Sequence, residues 1–464
     1  MRLAVCADLG STWTKALLVG LEGPDTGRVL ATAAHPTTLP GPTGPEADLL
    51  DGYDACLAAL LAARPDARVA LGEGRLEQHA CSSAGGGLRI AVVGNEALVT
   101  AETGRRVALS SGGRVVAVHA LADAPGLAGG PDVAPALAAR PDVVLLVGGT
   151  DGGNPEPLVA GATALVAGGW RGPVVVAGDV AAQPAAAAVL AAAGVPLRTA
   201  ANVVPRIGEL APAGARAAVR ELFLAHVIGG KELSRRPGLG ELLRGATPDV
   251  VLSGVEVLAA VHGDVVVVDV GGATTDVYSV VEPDPEAAGR DVVATTRATR
   301  TVEADLGVRW SAAGVVEAAG LDDPALEAAA ARRTAEPGLV ATTPQERAED
   351  LALARAAVVT AARRHAGRAR AAEPGPRGGT DLRAVDLLVG SGGVLRHAPA
   401  DAAAGLLAAA TAAGTADPTA WRLPRAPRVA VDTAYVLAAA GLLAADHPAA
   451  ARALVTALTG GAAR

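Results

Sequence analysis

The strongest constraint on this chain is a phrase that occurs twice. VVDVGGATTDVYSV begins at Val267, and ADLGSTWTKALLV, beginning at Ala7, repeats its plan. Asp8 matches Asp269, Gly10 matches Gly271 and Thr14 matches Thr275, each at an offset of 261 (269 − 8, 271 − 10, 275 − 14). Each copy is an apolar run, an acid, a glycine turn and a second apolar run, which predicts a β-hairpin with a glycine tip. Glycine tolerates positive φ and lets another group approach the backbone closely. Successive N–H groups in such a turn form a nest for an anion.

One such hairpin is equally well a turn held by its own Asp. Two matched copies, facing each other across a cleft, can grip a triphosphate from both sides. On that reading the first tip offers Gly10, Ser11, Thr12, Thr14 and Lys15. The second offers Gly271, Gly272, Thr274 and Thr275. Ser and Thr hydroxyls are neutral donors, and Lys15 supplies a compact positive charge. Asp8 and Asp269 suit a magnesium ion that keeps several of its waters. A third element, VDLLVGSGGVLRH, is a buried strand running into Gly390, Ser391, Gly392 and Gly393. Its turn can lie flat against a purine and ribose, although DVVLLVGGTDGGN at 142–154 has similar chemistry.

Composition narrows the class. Of 464 residues half are apolar, yet only 2% are aromatic, so any core is packed from Ala, Val and Leu. The net charge of −8 and the lack of a Lys/Arg block argue against a nucleic-acid partner. Three cysteines are too few for a disulfide framework or a zinc site and suit a reducing compartment. No apolar run has the length of a membrane span and no leader is visible, so the expected setting is cytoplasmic.

Val/Leu-rich runs alternate with Ala/Leu segments of helical period. RLAVCADLG, LRIAVVG, DVVLLVGG, GPVVVAGD, GDVVVVDVGG and AVDLLVGSGG are predicted strands. LLDGYDACLAALLAAR, NVVPRIGELAPAGARAAVRELFLAHV and LALARAAVVTAARRHAGRA are predicted helices. The alternation predicts an α/β fold with largely parallel sheets. Loops are expected at 281–291 and 369–381, and a frayed C-terminus.

The order of phosphate loop, helix, second phosphate loop, adenosine loop and helix resembles the actin, sugar-kinase and heat-shock chaperone ATPase superfamily. TPDVVLSGVEVLAAV and VDTAYVLAAAGLLAA would be the connecting helices. The resemblance implies two ribonuclease-H-like lobes closing on magnesium-ATP. Residues 1–262 would form the first, with an inserted α/β segment at about 141–245; residues 263–430 would form the second. Residues 431–464 would return as a helix to the first lobe.

More narrowly, DLGSTWTKALLV, LLVGGTDGGN, VVVDVGGATTDVYSV, TVEADLGVRWSA and VGSGGVLRH resemble the glutamate mutase accessory proteins of the MutL type. This resemblance implies an ATP-dependent reactivating chaperone for an adenosylcobalamin-dependent mutase, exchanging damaged cobalamin for fresh. Asp8 and Asp269 would be its catalytic and metal-binding acids. The chaperone branch has an acid near the start of the first connecting helix. Thr247 and Pro248 stand there instead, and Glu256 is too far along. Asp269 is then the first candidate to orient water; Asp432 is either a second or an N-cap.

Glu303 and Asp305 either touch nucleotide or form a solvated turn. Asp151 and Asn154 either line a second site or hold their own turn. Trp13 has no assigned role, and Lys231 lacks the rest of a P-loop. The missing D-x-H-x-x-G excludes a cobalamin-binding subunit. The rival readings are a metabolite kinase, a nucleotide-dependent scaffold and a hydantoinase-type subunit.

Overall fold

The protein is described from a computed structural model, covering residues 1–38, 47–84, 88–96, 100–123, 132–227, 233–282, 296–368, 379–414 and 420–460. Lys231 and most of the loops expected at 281–291 and 369–381 lie outside the described residues, as do residues 461–464.

The described strands are β1 (Leu3–Leu9), β2 (Trp13–Gly20), β3 (Val29–Pro36), β4 (Leu76–Ser82), β5 (Leu88–Gly94), β6 (Gly113–Ala120), β7 (Val143–Leu146), β8 (Val174–Val176), β9 (Leu197–Thr199), β10 (Leu243–Ala246), β11 (Val265–Val270), β12 (Thr275–Val280), β13 (Ala298–Glu303), β14 (Leu387–Ser391) and β15 (Arg428–Val431). They form three five-stranded sheets. The first is ordered β10-β4-β1-β2-β3 and the second, read from its other edge, β15-β14-β11-β12-β13. In both, three strands form an antiparallel meander and two more run parallel to the first. The repeated phrase is therefore the opening of a repeated ribonuclease-H-like lobe.

The third sheet, β6-β5-β7-β8-β9, is wholly parallel. It takes β5 and β6 from ahead of the boundary near 141 expected from sequence. Read alone, LRIAVVG is a buried strand; only its pairing with β7 assigns it to this central unit.

The long helix expected over 202–227 is shorter. Residues 202–212 are irregular and the α-helix is Ala213–Leu222. Pro205 lacks an N–H and restricts Val204, so the apolar period there does not become a helix. Elsewhere the local signals suffice. Leu49–Ala63 and Pro344–Ala366 each start with a capping box, Asp48 with Asp51 and Thr343 with Glu346.

One apolar cluster joins the lobes. Ala4, Cys6 and Leu17 of the first and Val265, Val267 and Tyr278 of the second meet Leu252, Val255, Leu437 and Leu443 on the connecting helices. These helices, Thr247–His262 and Val436–Leu443, cross at Gly254 and Gly441. A core poor in aromatics fits this close approach, because little side chain separates the backbones. No helix among the described residues is long and apolar enough to cross a membrane.

A buried histidine ties the long helix to the second sheet. His365 is 1% exposed and lies 2.8 Å from Ser279 Oγ and 3.0 Å from Thr301 Oγ1. Burial pulls its pKa from 6.5 to about 4. Between those values the unfolded chain holds the extra proton, so stability from this group is complete above pH 6.5 and declines toward pH 4. Thermal unfolding followed across that window should show the decline, and His365→Asn should flatten it.

Candidate functional site

The hairpins have matching tips. Gly10 N donates to Trp13 O at 3.2 Å, and Gly271 N to Thr274 O at 2.9 Å. A Cβ on Gly10 would lie 2.7 Å from Trp13 O, and one on Gly271 2.8 Å from Thr274 O. Both glycines are thus required by their own turns. A Cβ on Gly272 would lie 3.7 Å from Thr12 Oγ1 of the other hairpin. Two segments 261 residues apart therefore meet tip to tip.

The strand registers decide which side chains face the cleft. Asp8 lies opposite Lys15 and Asp269 opposite Asp276. Thr14 and Thr275, one position away, point to the other face and are fully buried. Thr275 Oγ1 donates to Leu306 O at 2.7 Å, and Thr14 Oγ1 lies 3.3 Å from Thr37 Oγ1.

Asp8 is held from two sides. Thr247 Oγ1 donates to its Oδ1 at 2.7 Å, and Lys15 Nζ is 3.6 Å from its Oδ2. Burial would lower the Lys15 pKa, but Asp8, Tyr435 and Asp269 outweigh it and hold the ammonium above its ordinary value. Burial pushes Asp269 up to about 6; Lys15 and a Ser391 hydrogen bond oppose that, and Asp276 and Asp8 reinforce it. Thus Asp8, Lys15, Asp269 and Ser391 come together, with Thr12 and Gly272 at the tips.

The GSGG turn divides its labour. Gly390 faces Leu407 in the core, and a Cβ on Gly392 (φ 104°) would lie 2.2 Å from Val270 O. Gly393 is open, with nothing within 4 Å of a Cβ. The helix that follows carries Arg396, 4.5 Å from the Tyr435 ring; Lys15 Nζ is 4.2 Å from the same ring. Tyr435 holds φ 57°, a conformation L residues seldom adopt.

The second hairpin is clamped by VEADLGVRWS. Val308 N donates to Gly271 O, and Arg309 N and Trp310 N to Gly272 O. Ser311 Oγ donates to Ala273 O at 3.1 Å. Glu303 and Asp305 both bind Arg364, at 2.7 and 2.8 Å. Asp151 accepts from Val180 N and Asn202 Nδ2, and Asn154 from Glu156 N. Only Asn154 serves its own turn; Asp151 ties together two neighbouring loops, and Glu303 and Asp305 hold the helix Pro344–Ala366. Asp432 accepts from Val436 N and Leu437 N, so it anchors the start of that helix from three residues ahead of the N-cap position, Tyr435. Asp249, in the first turn of the helix that starts at Thr247, is taken by Arg216 and Arg220.

Sequence reasoning passed over Asp276, Arg396 and Tyr435, and noted Thr247 only as the place of a missing acid. Asp276 was within reach, since the offset that pairs the hairpins also sets it against Lys15. Away from the cleft, Glu77 lies 3.2 Å from His79 Nε2 and 2.8 Å from His447 Nε2. Arg244 Nε donates to His79 Nδ1, so the His79 proton is on Nε2, toward Glu77. That is a hydrogen-bonded network rather than a set of free metal ligands.

Comparison with known proteins shows the family. A family model described as MutL protein matches residues 4–458. The chain belongs to the MutL protein family. It is 32% identical over 464 residues to Protein MutL of Clostridium tetanomorphum, covering 95% of this chain and 96% of that one. Among solved structures it is similar to a nucleotide-free acetone carboxylase, studied for ATP-dependent acetone carboxylation. The identity is 14% over 96% of this chain and 70% of the other, with a TM-score of 0.40. The Ppx/GppA phosphatase of Aquifex aeolicus, in its type II variant, is 9% identical over 84% and 67%, with a TM-score of 0.22. In this MutL-family chain, VGGATTDVYS builds the second hairpin and VEADLG begins the segment that clamps it.

Proposed function

We propose that the chain binds magnesium-ATP between its hairpin tips. It would use the nucleotide as a reactivating accessory protein for an adenosylcobalamin-dependent mutase of the glutamate mutase type. The observation that carries the nucleotide site is the meeting of Thr12 with Gly272 across the lobes. Family membership supports the accessory role.

The residues present suit the ligand. Ser11, Thr12 and Lys15 offer donors and positive charge from the first lobe, while Gly10, whose N–H is spent on Trp13 O, closes the turn. Gly272 and Thr274 offer donors from the second, where Gly271 closes the turn through Thr274 O, and the open face of Gly393 offers room for adenosine. Thr14 and Thr275, buried away from the cleft, would support the turns. Asp8 and Asp269 would hold magnesium, which would neutralise charge on the phosphoryl group. Lys15 keeps its proton and stays a cation between the two acids. Asp269 would orient water. Tyr435 joins Lys15 of the first lobe to Arg396 of the second, so closure around phosphate would be felt by both lobes.

The test is turnover together with rescue. A cobalamin-inactivated mutase is incubated with the protein, ATP, magnesium and fresh adenosylcobalamin. Wild type should restore activity. Asp8→Ala and Asp269→Ala should each lose at least about tenfold in magnesium-dependent ATP turnover, and lose rescue with it. Wild-type turnover in both variants would remove the site assignment. ATP turnover without rescue of any carbon-skeleton or amino mutase would remove the accessory role.

A further inference from the structure

The acid pair of the second lobe is fastened to the central sheet by one side chain. Asp276 faces Asp269 across β11 and β12, an arrangement that like charges oppose. Arg300, on β13, counters it. Its Nε and Nη2 donate to Asp276 Oδ1 at 3.0 and 2.6 Å, and the residue is 3% exposed. Its Nη1 reaches the other way, to Leu109 O at 3.4 Å and Gly113 O at 3.3 Å. Leu109 lies in the last turn of the helix Glu102–Ser110, where carbonyl oxygens attract a cation, and Gly113 opens β6 of the central sheet.

The same turn also touches the first acid's support. Gly112 (φ 78°) sits so close to the helix Thr247–His262 that a Cβ would lie 2.7 Å from Asp249 N. Thr247, the first residue of that helix, holds Asp8. Residues 109–113 therefore bear on both halves of the cleft, on Asp276 through Arg300 and on Asp8 through the helix start. Beside this junction β6 and β13 border an open groove of about 420 Å³, lined by Arg105, Leu109, Val116, Val118, Val302 and Glu303 among others.

We propose that Arg300 is a positioning residue that fixes Asp276 against Asp269 and references that pair to residues 109–113, so that the seating of the central unit sets the geometry of the cleft. The consequence for turnover rests on the nucleotide reading above; the mechanical link does not. A partner acting on the central unit would thereby act on the nucleotide site.

Hydrogen exchange without nucleotide tests the link. Arg300→Lys keeps a charge for Asp276 but loses the fork that also serves the two carbonyls. It should exchange about tenfold faster at both 109–113 and 270–276, with the helix Pro344–Ala366 unchanged. Faster exchange at only one segment, or at neither, overturns the proposal. With ATP, kcat should fall at least about tenfold while KM stays within about threefold, because positioning rather than binding is lost. An unchanged kcat in an enzyme that turns over ATP overturns it also. If Arg300→Lys does not fold, the double variant Asp276→Asn with Arg300→Gln replaces the ion pair by a neutral one and is read by the same exchange. A wild type that does not turn over ATP sinks the nucleotide reading, while exchange still decides the link.

Discussion

Gly254→Ala and Gly441→Ala are each expected to destabilise the protein by about 3 kcal/mol, the upper part of the range for overpacking. A Cβ on Gly254 would lie 2.0 Å from Leu437 O, and one on Gly441 1.9 Å from Val250 O. Both obstacles are backbone carbonyls, so no rotamer change relieves the clash; the helices must move apart. They cross inside the cluster that joins the lobes, and separating them loosens contacts on both sides. The damage should extend to the cleft. Thr247 starts one helix and holds Asp8, while Tyr435 precedes the other and stacks with Lys15. Gly405 is the control: it lies in the helix Ala400–Ala408 with nothing within 4 Å of a Cβ. Gly405→Ala should be neutral or stabilising by up to about 1 kcal/mol. Urea unfolding of the three variants decides the matter. A crossing variant as stable as Gly405→Ala would show that the helices do not meet this closely.

The hairpins were legible because their chemistry is local. An acid, a glycine turn and two apolar runs lie within a dozen residues, and the fixed offset shows that the pattern is duplicated. The strand period of two also separates Lys15, which faces the cleft, from Thr14, which does not. Other contacts were not legible, because they join distant parts of the chain. Thr247 reaches Asp8 across 239 positions, and Arg300 reaches Gly113 across 187. No window of sequence contains both partners. The helix expected over 202–227 shows the opposite error, since the apolar period there was local but Pro205 defeats it. Glu303 and Asp305 lie in the phrase VEADLGVRWS beside the second hairpin, yet their carboxylates hold Arg364. The same phrase reaches the cleft through backbone N–H groups at Val308, Arg309 and Trp310, which carry no side-chain signal.

Asp350→Ala is expected to destabilise by about 3–5 kcal/mol, the loss typical when one member of a buried ion-pair network is removed. Asp350 is 7% exposed and Arg333 is fully buried. Arg333 Nε donates to Asp350 Oδ1 at 2.6 Å, and Arg309 forks onto both oxygens at 3.1 and 2.8 Å. Without the carboxylate, Arg333 keeps Glu349 at 3.0 Å and two backbone carbonyls, but Arg309 keeps only carbonyls. The loss should persist in 1 M salt, where charges more than about 3 Å apart in water are screened but buried ones are not. Removing Asp381, whose bond to Arg383 is exposed, should change little at any salt concentration. The effect should also reach the cleft, because Arg309 N donates to Gly272 O. Amide exchange at 270–274 should therefore accelerate in Asp350→Ala under conditions where the protein is still folded. Protection there equal to wild type would mean that the backbone clamp holds the hairpin without its buried anchor.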